Sequence, residues 1–238
     1  MPGVLEHAAL SQPRTFGLVA GLGVGAGIFY YKEIVEAHLA LGLSPRIVMV
    51  HADVRRVMSH AAAREADQLA NYLAALLGQL ARAGAEIATI PAFSPQVCAA
   101  ELAAITPLPL VSLLDAISAE VKRRELRRVA LFGARVTMET LLFGGLQDAD
   151  VDVIPARPEE MDQIAAIYVR VVEEAGASAE DYDRLRSLAH TLIEREKLDG
   201  IIFAGTDLAF VFNPENTDFP HVDGARVHLK AIMAELVR

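Results

Sequence analysis

Apolar and polar positions alternate in blocks along the chain, and the blocks have two lengths. Short runs of five or six apolar residues read as buried strands: 16–20 (FGLVA), 46–51 (RIVMVH), 86–91 (EIATIP), 128–133 (RVALFG), 151–155 (VDVIP) and 200–204 (GIIFA). Between them lie longer stretches with apolar residues every third or fourth position, the spacing of a helix with one buried face. These predict helices over 28–41, 61–83, 95–104, 113–124, 138–146, 159–175, 181–197 and 225–237. The 61–83 helix carries Leu69, Leu73, Leu76, Leu77 and Leu80 on one stripe, with Gly84 where a C-cap belongs.

Strands that alternate with helices predict an α/β fold with mainly parallel sheets. The grammar runs twice, so two similar domains are expected, each a mainly parallel sheet flanked by helices. A ligand cleft is expected at their interface. The expected boundaries are an N-terminal extension over 1–15, a first domain of 16–112 plus 222–238, and a second of 113–221. Ligands of parallel sheets bind at the carboxyl ends of the strands. That rule singles out 20–27, 51–56, 91–95, 133–137 and 204–208.

Composition narrows the field. The chain has 238 residues, 53% hydrophobic and 22% charged, which excludes disorder. The formal net charge is −9, with 22 Lys and Arg against 31 Asp and Glu. Nucleic acids and anionic membranes both need a basic face, so neither is an expected partner. The apolar stretch 16–31 is broken by glycines at 17, 21, 23, 25 and 27 and reads as a strand and loop, not a span. No secretory pattern opens the chain, and the cytoplasm is the expected location. Cys98 is the lone cysteine, and no close histidine pair occurs, so no metal site is expected.

The strand ends hold the candidate chemistry. The 21–27 loop, with Gly21 and Gly23, fits a dinucleotide fingerprint poorly, because Asp53 comes some thirty residues on instead of about twenty. A tight turn whose backbone approaches a small anion suits it better. Ser94 is a nucleophile, for which no base or G-x-S-x-G elbow stands beside it in sequence, a hydroxyl that holds a ligand carboxylate, or a helix cap. The last two choices apply to Thr206 and Asp207. Arg55 and Arg56 are either a carboxylate clamp or a surface pair. His51, Asp53, Asp207 and His228 are the titratable candidates for acid–base work.

Taken together these segments resemble the cofactor-independent aspartate/glutamate racemase family, from about residue 16 to the C-terminus. Ala20-Gly-Leu-Gly-Val24 resembles the family's opening G-G-M-G-P, and the 29–35 helix resembles the one that follows. Ala130-Leu-Phe-Gly-Ala-Arg-Val-Thr-Met138 looks like L-L-G-T-x-x-T-M. Gly200-Ile-Ile-Phe-Ala-Gly-Thr-Asp-Leu208 looks like G-x-I-L-G-C-T-E-L. Asp223 and His228 resemble the terminal D-x-x-x-x-H. The resemblance implies a homodimer that needs no cofactor and binds a small carboxylate or amino acid.

The departures fall on the chemistry. The family sets two cysteines on opposite sides of its substrate, one in I-P-C-N-T and one in G-C-T-E. Here Ala92 and Gly205 stand at those positions, and Phe93 and Ala134 replace polar residues. Each general acid–base step is worth about 10²–10⁴-fold, so two-thiol racemisation is expected to be absent. The resemblance leaves Gly21, Gly23, Arg55, Ala92, Phe93, Ser94, Thr137, Gly205 and Thr206 as ligand-binding candidates. Two functions stay open: other isomerase, lyase or decarboxylase chemistry on a small acid, or a relative that binds and does not catalyse.

Overall fold

β1 (Phe16–Ala20) is buried along almost its whole length because it is the middle strand of a sheet covered on both faces. The computed structural model describes residues 13–238, so most of the expected 1–15 extension lies outside it. β1 pairs in parallel with β2 (Ile47–His51) on one side and β3 (Ile87–Thr89) on the other, giving the order β2-β1-β3. A single parallel bridge from Ala88 to Leu110 extends the sheet beyond β3.

A second parallel sheet has the order β5-β4-β6-β7, built from β4 (Arg128–Gly133), β5 (Asp152–Val153), β6 (Gly200–Ala204) and β7 (His221–Asp223). The two sheets are separate, as the repeated grammar predicts. Their fold is a two-domain α/β arrangement.

Helices cover both sheets: α1 (Val24–Ala40), α2 (Val54–Ala62), α3 (Ala66–Arg82), α4 (Ala99–Ile105), α5 (Leu113–Arg123), α6 (Arg135–Glu139), α7 (Pro158–Glu174), α8 (Ala179–Glu196) and α9 (Gly224–Leu236). The α3 leucine stripe packs with Val19, Ala88 and Ile90. After β7 the chain crosses back. Ala225, Leu229, Ile232 and Leu236 of α9 join Phe16, Leu18, Tyr30 and Ile34 in a core on the first sheet. Among the described residues no helix is long and apolar enough to cross a membrane.

Four local expectations change. α1 begins at Val24, so Gly25 and Gly27 are helical and only 21–23 is loop. The expected 61–83 helix starts later, at Ala66, and a separate helix, α2, precedes it. Asp53 caps α2 through the N–H groups of Arg55 and Arg56, and Arg64 at φ 56° breaks the chain before α3. The leucine stripe belongs to α3 alone, and α2 buries only Val57.

The expected 138–146 helix also stops early, at Glu139. Leu141, Leu142 and Phe143 then take φ of 49°, 61° and 55°, a left-handed turn that carries Leu142 into the second core. Such backbone costs about 1–2 kcal/mol per residue, which local pattern does not foretell. Finally, Val222 and Asp223 do not join the first domain. They pair with Ile202 and Phe203 on the edge of the second sheet, and the crossing starts at Gly224.

β4 and β6 stay in register up to their carboxyl ends, where Gly133 pairs with Ala204. A Cβ on Gly133 would lie 2.2 Å from the Ala204 carbonyl oxygen, a backbone atom with no freedom to move aside. Gly133→Ala is therefore expected to lower stability by about 3 kcal/mol, the upper part of the usual overpacking range. Urea unfolding checks it, and an unchanged midpoint would mean that the strand ends separate easily.

Candidate functional site

The ends of β4 and β6 in the second sheet face the start of α1 in the first. After β6 the chain turns at Gly205 into a short 3-10 segment, Thr206–Phe210. Thr206 and Asp207 are both 2% exposed. Asp207 Oδ1 accepts the Ala26 N–H at 3.2 Å, and the Thr206 hydroxyl lies 3.5 Å from Asp207 Oδ2. α1 has no side-chain cap at Gly23 and no acid in its first turn. Asp207, reaching across from the other half, supplies the anion that the helix terminus favours.

Glycine makes that approach possible. A Cβ on Gly23 would lie 2.8 Å from Asp207 Oδ2, and one on Gly25 would lie 2.8 Å from the Phe210 ring. Gly21, at φ +91°, has the His51 ring against it, with Cε1 2.8 Å from where a Cβ would stand. The loop expected to admit a small anion thus sits between His51 and Asp207. Burial pushes the Asp207 carboxyl up to about 6, against the helping hydrogen bond from Ala26. A carboxyl poised there exchanges protons near neutral pH.

Other candidates have different places. Asp53 is used in capping α2, and its own N–H is donated to the Tyr72 hydroxyl at 2.7 Å. Arg55 is exposed near that cap, while Arg56 lies over the Tyr72 ring at 4.4 Å. His228 is fully buried between α1, α9 and the first sheet. Its Nδ1 is 3.1 Å from the Tyr30 hydroxyl, and its Nε2 is 3.0 Å from the Val111 carbonyl and 2.9 Å from the Thr89 hydroxyl. Burial holds its pKa down at about 4, so it is a neutral tie inside the core and not an acid or base in a cleft.

On the segment after β3, Ala92 is buried and Ser94, half-buried, opens the 3-10 turn Ser94–Cys98. The cap position there is Phe93 and no side chain fills it, so the helix-cap alternative for Ser94 is not realised. Phe93 is no cleft wall. Its ring belongs to the second core, 2.9 Å from where a Cβ on Gly224 would lie, because the two halves close over it. Thr137 is fully buried in α6, and among the described residues its hydroxyl has no hydrogen-bond partner. Among the described residues no cluster of three or more His, Cys, Asp or Glu could hold a metal.

Sequence reading missed one residue. Tyr168, partly buried on α7, lays its ring directly over Gly205. Burial, then the Asp207 charge, raises its phenol well above the usual range, and Thr206 and Asp207 are the polar groups that act on its oxygen. The only sequence signal was its place on the buried face of a helix, one turn from Ile164 and Val171. A groove of about 760 Å³ lies elsewhere, between α4 and α5. Pro95, Gln96, Thr106, Ser112, Asp115 and Lys122 are among its lining residues.

The sequence profile of the family described as Asp/Glu/hydantoin racemase matches residues 5–232. Solved structures agree in fold. A suspected Asp/Glu racemase from Yersinia pestis superposes with a TM-score of 0.82 at 23% identity, covering 94% of this chain and 100% of that one. An aspartate racemase homologue from Pyrococcus horikoshii OT3 gives 0.78 at 21%, covering 93% and 99%. Unliganded arylmalonate decarboxylase gives 0.52 at 15%, covering 94% and 93%.

Asp207 keeps its proton to higher pH in the folded chain than in the unfolded one, where its carboxyl has the ordinary value of 3.8. The folded state therefore loses stability as pH rises from about 4 to about 6, and the full penalty stands above that. Asp207→Asn keeps an oxygen for Ala26 N–H and sheds the buried charge. It is expected to stabilise the protein at pH 7.5 by about 1–3 kcal/mol, with most of the gain gone by pH 4.5. Denaturation at both pH values checks this, and a destabilised variant at pH 7.5 would assign Asp207 a purely structural role.

Proposed function

The chain belongs to the Asp/Glu/hydantoin racemase family, and within it we propose an enzyme that acts on a small carboxylate or amino acid by protonating one face of a carbanion, not by exchanging protons between two thiols. The carrying observation is an asymmetry across the strand ends. Gly205, where the family resemblance sets one cysteine, has Asp207 two residues on, buried and titrating near 6. Ala92, where it sets the other, is followed by Phe93 and Ser94 and has no ionisable group beside it in sequence.

Racemisation needs a base on one face and an acid on the other. On this reading Asp207 serves one face, nothing ionisable stands at Ala92 for the other, and the two-base reaction lacks one of its partners. The site still serves a reaction in which the carbanion arises by breaking a carbon–carbon bond. In decarboxylation the electron pair of that bond stays on the α-carbon and carbon dioxide leaves. A proton from the site then forms the new C–H bond. Aldol-type cleavage follows the same balance with a carbonyl as leaving fragment. Thr206, Ser94 and the unpartnered Thr137 hydroxyl are the donors we assign to the ligand's carboxylate, with Ala134 leaving room for an apolar substituent. The reading takes the enzyme to work as a cytoplasmic homodimer without an organic cofactor.

A second reading has one observation behind it. The Asp207 carboxylate is already engaged by Ala26 N–H, as in a relative that closes on a ligand without reacting. Two measurements separate them. A thermal-shift screen of small carboxylic acids is expected to find one that stabilises the protein, by about 2.7 kcal/mol at a hundred times its dissociation constant, and less in Thr206→Val. NMR in heavy water is expected to show no α-proton exchange on either enantiomer of aspartate or glutamate. It should show loss of carbon dioxide or a cleaved fragment from an acid that binds, with turnover reduced at least about 10²-fold in Asp207→Asn. Binding without turnover selects the second reading. Deuterium exchange into aspartate or glutamate would overturn the one-sided site.

A further inference from the structure

The place where the family resemblance sets the second thiol is not vacant. A Cβ on residue 205 would lie 2.3 Å from Tyr168 Cε2, 2.6 Å from Cζ and 3.0 Å from the hydroxyl oxygen. A side chain at 205 and this ring exclude each other. Glycine there is what lets the ring lie flat on the strand end. α7 holds the ring in place, because Ile164, Ile167 and Val171 on the same helix are buried in the second core.

We propose that Tyr168 takes over the position of the second thiol, and that its hydroxyl, with Thr206 and Asp207, is the group that meets a carboxylate ligand from that side. This deepens the function proposed above and rests on it. A thiol and a phenol at one place differ in what they do. A thiolate is an accessible base near neutral pH. The Tyr168 phenol is held protonated by burial and by the neighbouring Asp207 charge, so it donates and does not accept. It suits an anionic oxygen or a carbanion that already exists. In the protonation step its O–H bond breaks as the C–H bond forms, and the phenolate is reprotonated from water through Asp207, whose carboxylate takes up the water proton and passes it on.

The test uses Gly205→Cys, the double variant Tyr168→Ala with Gly205→Cys, and Tyr168→Phe. Cys98 is a clean background, since it is fully buried and its thiol is pushed up to about 12. Gly205→Cys alone is expected to melt below wild type, and the double variant to recover most of that loss. The introduced thiol of the double variant is expected to react about tenfold faster with iodoacetate, itself a small carboxylate, than with iodoacetamide. That order is the reverse of a free thiol's. If Gly205→Cys is as stable as wild type and as reactive as the double variant, the ring does not hold the thiol's place and the proposal falls. If the introduced thiol reacts but prefers iodoacetamide, the carboxylate reading of the site falls, and the proposal keeps only the ring's position, which the stability data fix. Tyr168→Phe tests the hydroxyl without disturbing the packing. It removes a donor to the Asp207 carboxylate, so the titration of that carboxyl, followed by carbon NMR, is expected to move upward. An unmoved titration overturns the contact.

Discussion

One carboxylate closes this molecule. Asp207 sits in the second half, yet its oxygen satisfies a backbone N–H at the start of α1 in the first. An uncapped helix terminus and a buried charge are each unfavourable alone. Brought together they offset one another, and the offset works only when the two halves are in contact. The glycines at 23 and 25 set the distance, since a side chain at either would push Asp207 or Phe210 away. Phe93 acts in the same direction by lodging in the other half's core. The contact is short, buried and polar on one side of the interface, apolar on the other.

That arrangement leaves the strand ends with two kinds of polar group. Some are fully used by the fold. His228 is tied to Tyr30, Thr89 and Val111, and Asp53 is tied to its own helix. Others are buried with capacity to spare. Thr137 has an unpartnered hydroxyl among the described residues, and burial holds the pKa of the Asp207 carboxyl high in spite of its bond from Ala26 N–H. Unsatisfied burial of this sort costs about 1–3 kcal/mol per group. Proteins retain such costs where a ligand or a reaction offsets them. The distinction separates the groups assigned to ligand from those assigned to structure.

Sequence pattern reads the fold well here because β1, β3, β4 and β6 are short apolar blocks buried on both faces. Two parallel sheets follow from that alone. It reads turns poorly where tertiary burial overrides local preference. The left-handed residues 141–143 are leucine and phenylalanine, types that avoid that conformation, and only the burial of Leu142 accounts for them. The site is legible in part. Asp207, Thr206 and Gly205 stand out because they end a strand. His228 stands out for the same sort of reason and has a different role, since neither spacing nor residue type reveals that Tyr30 and Val111 enclose it. Tyr168 is invisible in one dimension, 37 residues before Gly205 and on a helix whose apolar spacing explains it as core.

Gly205 and Tyr168 belong together. Taken singly, Gly205 is the loss of a side chain. Taken with the ring that fills its space, it is, on the proposed reading, half of an exchange. A planar phenol needs more room than a thiol, and glycine is the one residue that leaves a strand end flat enough for the ring to lie on it. The exchange also changes the sense of proton flow. A thiol titrates close to neutral pH and serves as base or acid in turn. A buried phenol beside a carboxylate stays protonated and works in one direction. On the proposed reading, with Ala92 on the other side, chemistry that begins by pulling a proton from carbon is closed to the site, and chemistry that ends by placing one there is not.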